Sequence, residues 1–209
     1  MERGPLKTMI GVILIKLATG VVTCWGTINL YILSYFHQLG EQINQSTNSI
    51  LLLAIILPIS VFILFAPKLV EMFGAERVTR TCSIIFFISP LLINLKFTIL
   101  NLVIFCMIVP TTAFAISMVP IFYCLWTQFP VSKNKATSLA VVCFGLGGII
   151  WNYLFMMLVN PNNEKATIYE DSTHMIFFDE KVTKNVLSAL RVGYLISGAT
   201  FVIGSFLVQ

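Results

Sequence analysis

Acidic side chains are missing from most of this chain. No Asp or Glu occurs between Glu41 and Glu71, or between Glu76 and Glu164. Charged residues of both signs make up 11% of the 209 residues, where soluble domains carry about 25%. With 57% hydrophobic residues and a mean hydropathy of +0.91, there is too little charge to coat a water-soluble fold. Catalytic groupings are also missing. No His/Asp/Glu cluster, serine–histidine arrangement or phosphate-binding glycine loop is present, which argues against a membrane enzyme and implies no catalytic residue, cofactor or metal. No CxxC pair occurs, and Cys24, Cys82, Cys106, Cys124 and Cys143 each lie inside an apolar run. They read as free buried thiols, with no disulfide or zinc framework. The net charge of +4 comes from basic residues at segment ends, so nucleic acid is not an expected partner. The leader MERGPLK has no small-residue cleavage site after it, and the first apolar run reads as a retained helix.

What is present is apolar sequence in long runs. A membrane-crossing helix needs about 20 such residues, and this chain has room for about six. The sequence predicts an all-α, polytopic membrane protein, with residues 1–209 as a single domain of six transmembrane helices. The expected spans are about Met9–Tyr35, Ile50–Phe65, Val78–Leu95, Thr98–Thr127, Ala136–Val159 and Val186–Val208. Pro58 sits inside the second, and Pro110 and Pro120 are expected to bend the long fourth. Lys16, near the start of the first span, is expected to snorkel to the membrane face. Trp25 and Asn29 share a helix face. His37 reads as a solvated loop residue, and the sequon Asn44-Gln45-Ser46 as a chance tripeptide close to the membrane. Trp126 reads as an interfacial anchor. The fifth span carries small residues along one face, Ala136, Ala140, Cys143 and Gly147, with Gly145 and Gly148 beside them. The sixth repeats the pattern in Gly193, Ser197, Thr200 and Gly204. In lipid, such stripes let neighbouring backbones approach closely, so both helices are expected to pack inside a bundle.

Orientation follows from Lys and Arg in the short loops. Arg3, Lys7, Lys68, Arg77, Arg80, Lys133 and Lys135 fall on the side of the N-terminus. Lys96, Lys165, Lys181, Lys184 and Arg191, with the long acidic loop, fall opposite. Both termini are therefore expected in the cytoplasm, or in the matrix of a mitochondrion.

Two connections carry a family resemblance. In PKLVEMFGAER, the residues Leu69, Glu71, Gly74 and Arg77 resemble the major facilitator signature G-x-L-x-D-R-x-G-R-K, with Pro67 in place of the first glycine, Glu71 of the aspartate and Met72 of the arginine. The stretch with Trp126, Phe129-Pro130, Lys135-Ala136 and Gly145-Leu146-Gly147-Gly148 is similar to the fourth-to-fifth connection of the monocarboxylate and oxalate/formate branch. Asn160-Pro161-Asn162 and FFDEKVTKNV resemble protist members of that branch. The resemblance implies the N-terminal six-helix half of a transporter, built of two inverted three-helix repeats at about 9–95 and 98–208. It also implies a solute bound between two such halves. The substrate-cavity candidates are Trp25, Asn29, Tyr123 and Asn152, and the gating motif is Leu69, Glu71, Gly74 and Arg77.

Two functions stay open on the sequence. One is transport of a small organic solute by a half-size unit that needs a second half, a homodimer or a larger membrane complex, because alternating access rocks one half against the other. The other is a transporter-derived structural subunit scaffolding a larger assembly, for example a mitochondrial inner-membrane respiratory complex. The degraded gating motif and the absence of intramembrane carboxylates fit the second.

Overall fold

The structure, a computed structural model, describes residues 3–95, 98–170 and 175–209. Lys96, read above as a loop charge, and Asp171 of the long acidic loop lie outside the described residues. Lipid offers the backbone no hydrogen-bond partners, so each apolar run closes its own bonds as helix. Among the described residues, five continuous helical segments are long and apolar enough to cross a membrane: Gly4–Gln38, Gln45–Phe73, Ile99–Gln128, Lys133–Val159 and Glu180–Leu207. The chain is an integral, multi-pass membrane protein. The third of the six expected spans is the odd one. It consists of α5, Ala75–Ile88, continued by the 3-10 turns Ser89–Leu95, and its first turns carry Glu76, Arg77 and Arg80.

Several boundaries differ from expectation for local reasons. The first span is α1 (Arg3–Thr19) and α2 (Trp25–Gln38) joined by 3-10 turns at Gly20–Cys24. The second begins at Gln45, earlier than hydropathy indicates, because Asn44 caps it. The Asn44 side chain accepts from Thr47 N at 2.8 Å and Thr47 Oγ1 faces back to Asn44 N, a capping box. The sequon asparagine is thus the cap of α3, Gln45–Phe62. The charged stretch after it is not a loop. It is α4 (Ala66–Phe73) and then α5, with Gly74 alone between them at φ +83°, a conformation that suits glycine.

The fourth span starts as α6 (Ile99–Leu102), passes through a π-helical stretch at Val103–Ile108 and continues as α7, Val109–Gln128. Pro110 has no N–H to donate, which frees the carbonyl four residues back. That carbonyl, on Cys106, accepts the Tyr194 hydroxyl at 2.7 Å. After α8, Lys133–Val159, the acidic connection folds as a small antiparallel hairpin that the sequence reading did not anticipate, β1 (Ile168–Glu170) against β2 (Met175–Phe177). A single turn, α9 (Glu180–Thr183), then leads into α10, Val186–Leu207.

The helices pack through their small residues. Gly11 on α1 lies against Gly204 on α10, so that a Cβ on Gly11 would come 2.7 Å from the Gly204 carbonyl oxygen. Gly147 on α8 lies against the Leu17 backbone, and Gly148 against Gly20 and Thr23. Thus α1 packs chiefly on α10 and α8, while α7 packs on α5 and α3. Helices α5 and α10 run antiparallel: Ser83 Oγ donates to Ser205 Oγ at 2.9 Å, and Phe87 fills the space beside Gly198. The two chain ends meet, with Gln209 N donating to Thr8 Oγ1 at 3.3 Å and Gln128 Nε2 to the Gln209 carbonyl at 3.4 Å.

The hairpin seals the opposite end. Phe177 and Phe178 are buried there. Phe178 stacks on Tyr31 at 4.5 Å, and its N–H donates to Ser34 Oγ at 3.0 Å. Gln38 reaches the Phe178 carbonyl and the Thr183 hydroxyl. His37, expected in a solvated loop, is instead in the last turn of α2. Its ring stacks on Phe177 at 4.1 Å and its Nε2 lies 3.1 Å from Glu170 Oε2.

Candidate functional site

Lys16 is the most anomalous side chain in the bundle. It is 1% exposed, so it does not snorkel. Its helix face explains why: Val12 and Thr19, one turn either side, are both buried, and Gly20 lies on the α8 contact. The side chain is directed across the bundle to α7. There Nζ lies 2.9 Å from Met118 Sδ and 4.4 Å from the centre of the Phe122 ring. An ammonium carries three donors. A thioether is a weak acceptor and an aromatic face a partial counter-charge. Among the described residues Lys16 has no carboxylate partner. Ionisable groups inside a membrane are costly and mark solute or proton pathways by default.

The backbone around Lys16 is held tightly. Trp151 Nε1 donates to the Leu17 carbonyl at 2.8 Å, and Thr19 Oγ1 donates to the Ile15 carbonyl at 2.9 Å. The helix breaks one turn further on, at Gly20–Cys24. Broken spans and their loosened backbone groups are where membrane carriers place binding sites.

The four cavity candidates do not form one cluster. Trp25 lines a small apolar cavity of about 30 Å³ with Ile28, Cys106, Pro110 and Tyr194. That is room for about one water molecule. Asn29 Nδ2 donates to Asn48 Oδ1 at 2.7 Å, tying the first span to the second, and its own Oδ1 is buried without a partner among the described residues. Asn152 Nδ2 donates to the Gly148 carbonyl of its own helix at 2.9 Å, and its Oδ1 is likewise unpartnered. Tyr123 departs from expectation. It is exposed, and it lines a basin at the end of the bundle that holds the termini, with Gly74, Gln128 and Gln209. Thirteen residues of helix, a rise of about 20 Å, separate it from Pro110, which lines the Trp25 cavity.

The gating motif occupies the α4–α5 corner: Leu69 is half-buried, Glu71 and Arg77 are exposed, and Gly74 makes the turn. Arg77 has no carboxylate partner among the described residues. Arg80 is paired, with Nη2 3.0 Å from Glu76 Oε2. Of the packing residues, Ala136, Ala140, Gly147, Gly148, Gly193, Ser197 and Gly204 are buried, and Gly193 receives the Phe155 ring. Gly145 is the exception. It is exposed, and a Cβ there would meet nothing within 4 Å. Its neighbours Gly147 and Gly148 face α1, and the 100° step per residue turns Gly145 away from that contact. Trp126 is exposed, with Nε1 donating across the turn to Thr137 Oγ1 at 2.8 Å.

The chain matches no protein family, no curated protein and no solved structure.

Proposed function

We propose that this chain is a half-size unit of major facilitator-type membrane transport, moving a small organic solute, with Lys16 as its central polar group. The observation that carries this reading is the buried Lys16 ammonium on a thioether and a ring. A packing unit has no need of such a group, whereas an organic acid would supply the anion it lacks.

The architecture supports the same reading. Number the spans one to six, with α5 and its 3-10 continuation as the third. Exchanging one with four, two with five and three with six then maps the main contacts onto one another. The pairing of α1 with α10 becomes that of α7 with α5, and the pairing of α1 with α8 becomes that of α7 with α3. The contact of α5 with α10 maps onto itself. This symmetry of contacts supports an arrangement as two inverted three-helix repeats. The proximity of Thr8 and Gln209 supports an even number of crossings, such as six. The basic residues Lys68, Arg77, Lys133 and Lys135 on the termini's side favour cytoplasmic or matrix-facing ends.

Uptake of radiolabelled organic acids by the reconstituted protein tests the proposal. Lys16→Met should abolish uptake while leaving the folded protein in the membrane; full uptake by that variant sinks the assignment of Lys16.

A structural-subunit reading has one observation in its favour: the cavity beside Trp25 is only about 30 Å³, too small for a solute within this unit alone. Stoichiometric co-purification with a large membrane complex, together with no uptake by the wild type, would select that reading. Self-association into a pair, which cross-linking would register, would supply the missing half instead.

A further inference from the structure

The corner between α4 and α5 carries two concavities that share Phe73 and Arg77. One is a basin of about 350 Å³ at the termini's end of the bundle, edged by Tyr123, Thr127 and Gln128. The other is an apolar groove of about 410 Å³ that runs along α5, lined by Leu69, Val78, Cys82, Ile85 and Ile116. Arg77 stands where the two meet. From Arg77 to Ile85 the helix rises about 12 Å, so the groove descends from the membrane face toward the hydrocarbon. A basin with Thr127 and Gln128 at its edge, the Arg77 cation and an apolar groove follow one another in the order of headgroup, phosphate and acyl chain.

The charges select among lipids. Glu76, the acid in the basin, is engaged by Arg80, which also lies over the Phe206 ring at 5.3 Å and so leans toward α10. The Arg77 guanidinium, exposed and without a carboxylate partner among the described residues, is left to face the headgroup. A guanidinium binds phosphate oxygens through paired hydrogen bonds.

We propose that this corner is a binding site for an anionic phospholipid, with the phosphate on Arg77 and one acyl chain in the groove of α4, α5 and α7. The site wedges the α4–α5 corner against α7, so occupancy stabilises the membrane end where the gating-type motif sits.

The full chain in detergent, titrated with phosphatidylglycerol, provides the test, by native mass spectrometry and by melting temperature. Wild type should retain phosphatidylglycerol in preference to phosphatidylcholine and melt higher with it. Arg77→Gln should weaken retention about fivefold, the effect of one basic side chain at a membrane surface. Thr81→Trp, an exposed groove position, should block the acyl chain and abolish the melting shift. Lys135→Gln, a basic residue outside the corner, should leave retention unchanged. Equal retention by wild type and Arg77→Gln would overturn the proposal. So would an equal loss with Lys135→Gln, which would mean non-specific charge attraction. A melting shift given by inorganic phosphate alone would overturn the acyl-chain half of the site.

Discussion

At the scale of single residues, polarity inside the bundle is scarce, and each instance is informative. Lys16→Met replaces an ammonium by an apolar chain of similar length beside Met118 and Phe122. It removes a desolvation cost, so thermal unfolding in detergent should occur at the same temperature or higher even as uptake is lost. A falling melting temperature would mean that Lys16 serves packing. The Asn29–Asn48 bond gives a second test. Hydrogen bonds between membrane helices couple by about 0.6 kcal/mol on average, and a double-mutant cycle of Asn29→Ala and Asn48→Ala should return that order of coupling. Lys16 was only half legible in the sequence. Its distance from the helix start suggested snorkelling, but buried Val12 and Thr19 on its own face carried the opposite signal. The separation of Tyr123 from Trp25 had a local signal, the thirteen helical residues between Tyr123 and Pro110 at the Trp25 cavity.

At the scale of elements, two glycines three residues apart on one segment, Gly145 and Gly148, have opposite surroundings, and Gly147 shows the contrast most strongly. Gly147→Leu would drive a side chain into the Leu17 backbone, which cannot yield as a rotamer does. A cost at or above the usual overpacking range of about 1–3 kcal/mol is expected in chemical unfolding. Gly145→Leu meets open space and gains about 1 kcal/mol of helix propensity at most, so it should be neutral or stabilising. The π-helical stretch yields a linked pair. Tyr194→Phe strands the Cys106 carbonyl and should cost about 1–3 kcal/mol. In a Pro110→Ala background, where an N–H is available again, that cost should shrink. Hydropathy located the five helices long and apolar enough to cross a membrane, and the small-residue spacing identified most packing faces. It missed what is settled by caps and single turns: Asn44 lengthens the second span, and Gly74 turns a supposed loop into a helical corner. The Phe177–Phe178 plug escaped notice because its partners on α2 are more than a hundred positions away in the chain.

At the scale of the whole molecule, the meeting of Thr8 with Gln209 makes a topology prediction. Tags at either end should be protected from, or open to, a membrane-impermeant protease on the same side, and a reporter cysteine at Asn163 should label from the other. All five native cysteines are buried, so background labelling should be low. Ends that respond from opposite sides would contradict an even number of crossings, and labelling of Asn163 from the same side as the ends would contradict a crossing by α10. The arrangement also has a consequence for synthesis. Helix α1 finds its main neighbours only in α8 and α10, which leave the ribosome more than a hundred residues after it. At about 5–20 residues per second, the first helix waits on the order of ten seconds with the Lys16 ammonium uncovered. Until α7 and α8 arrive, something other than this chain must shield that charge from lipid, which makes the insertion machinery a temporary partner in folding.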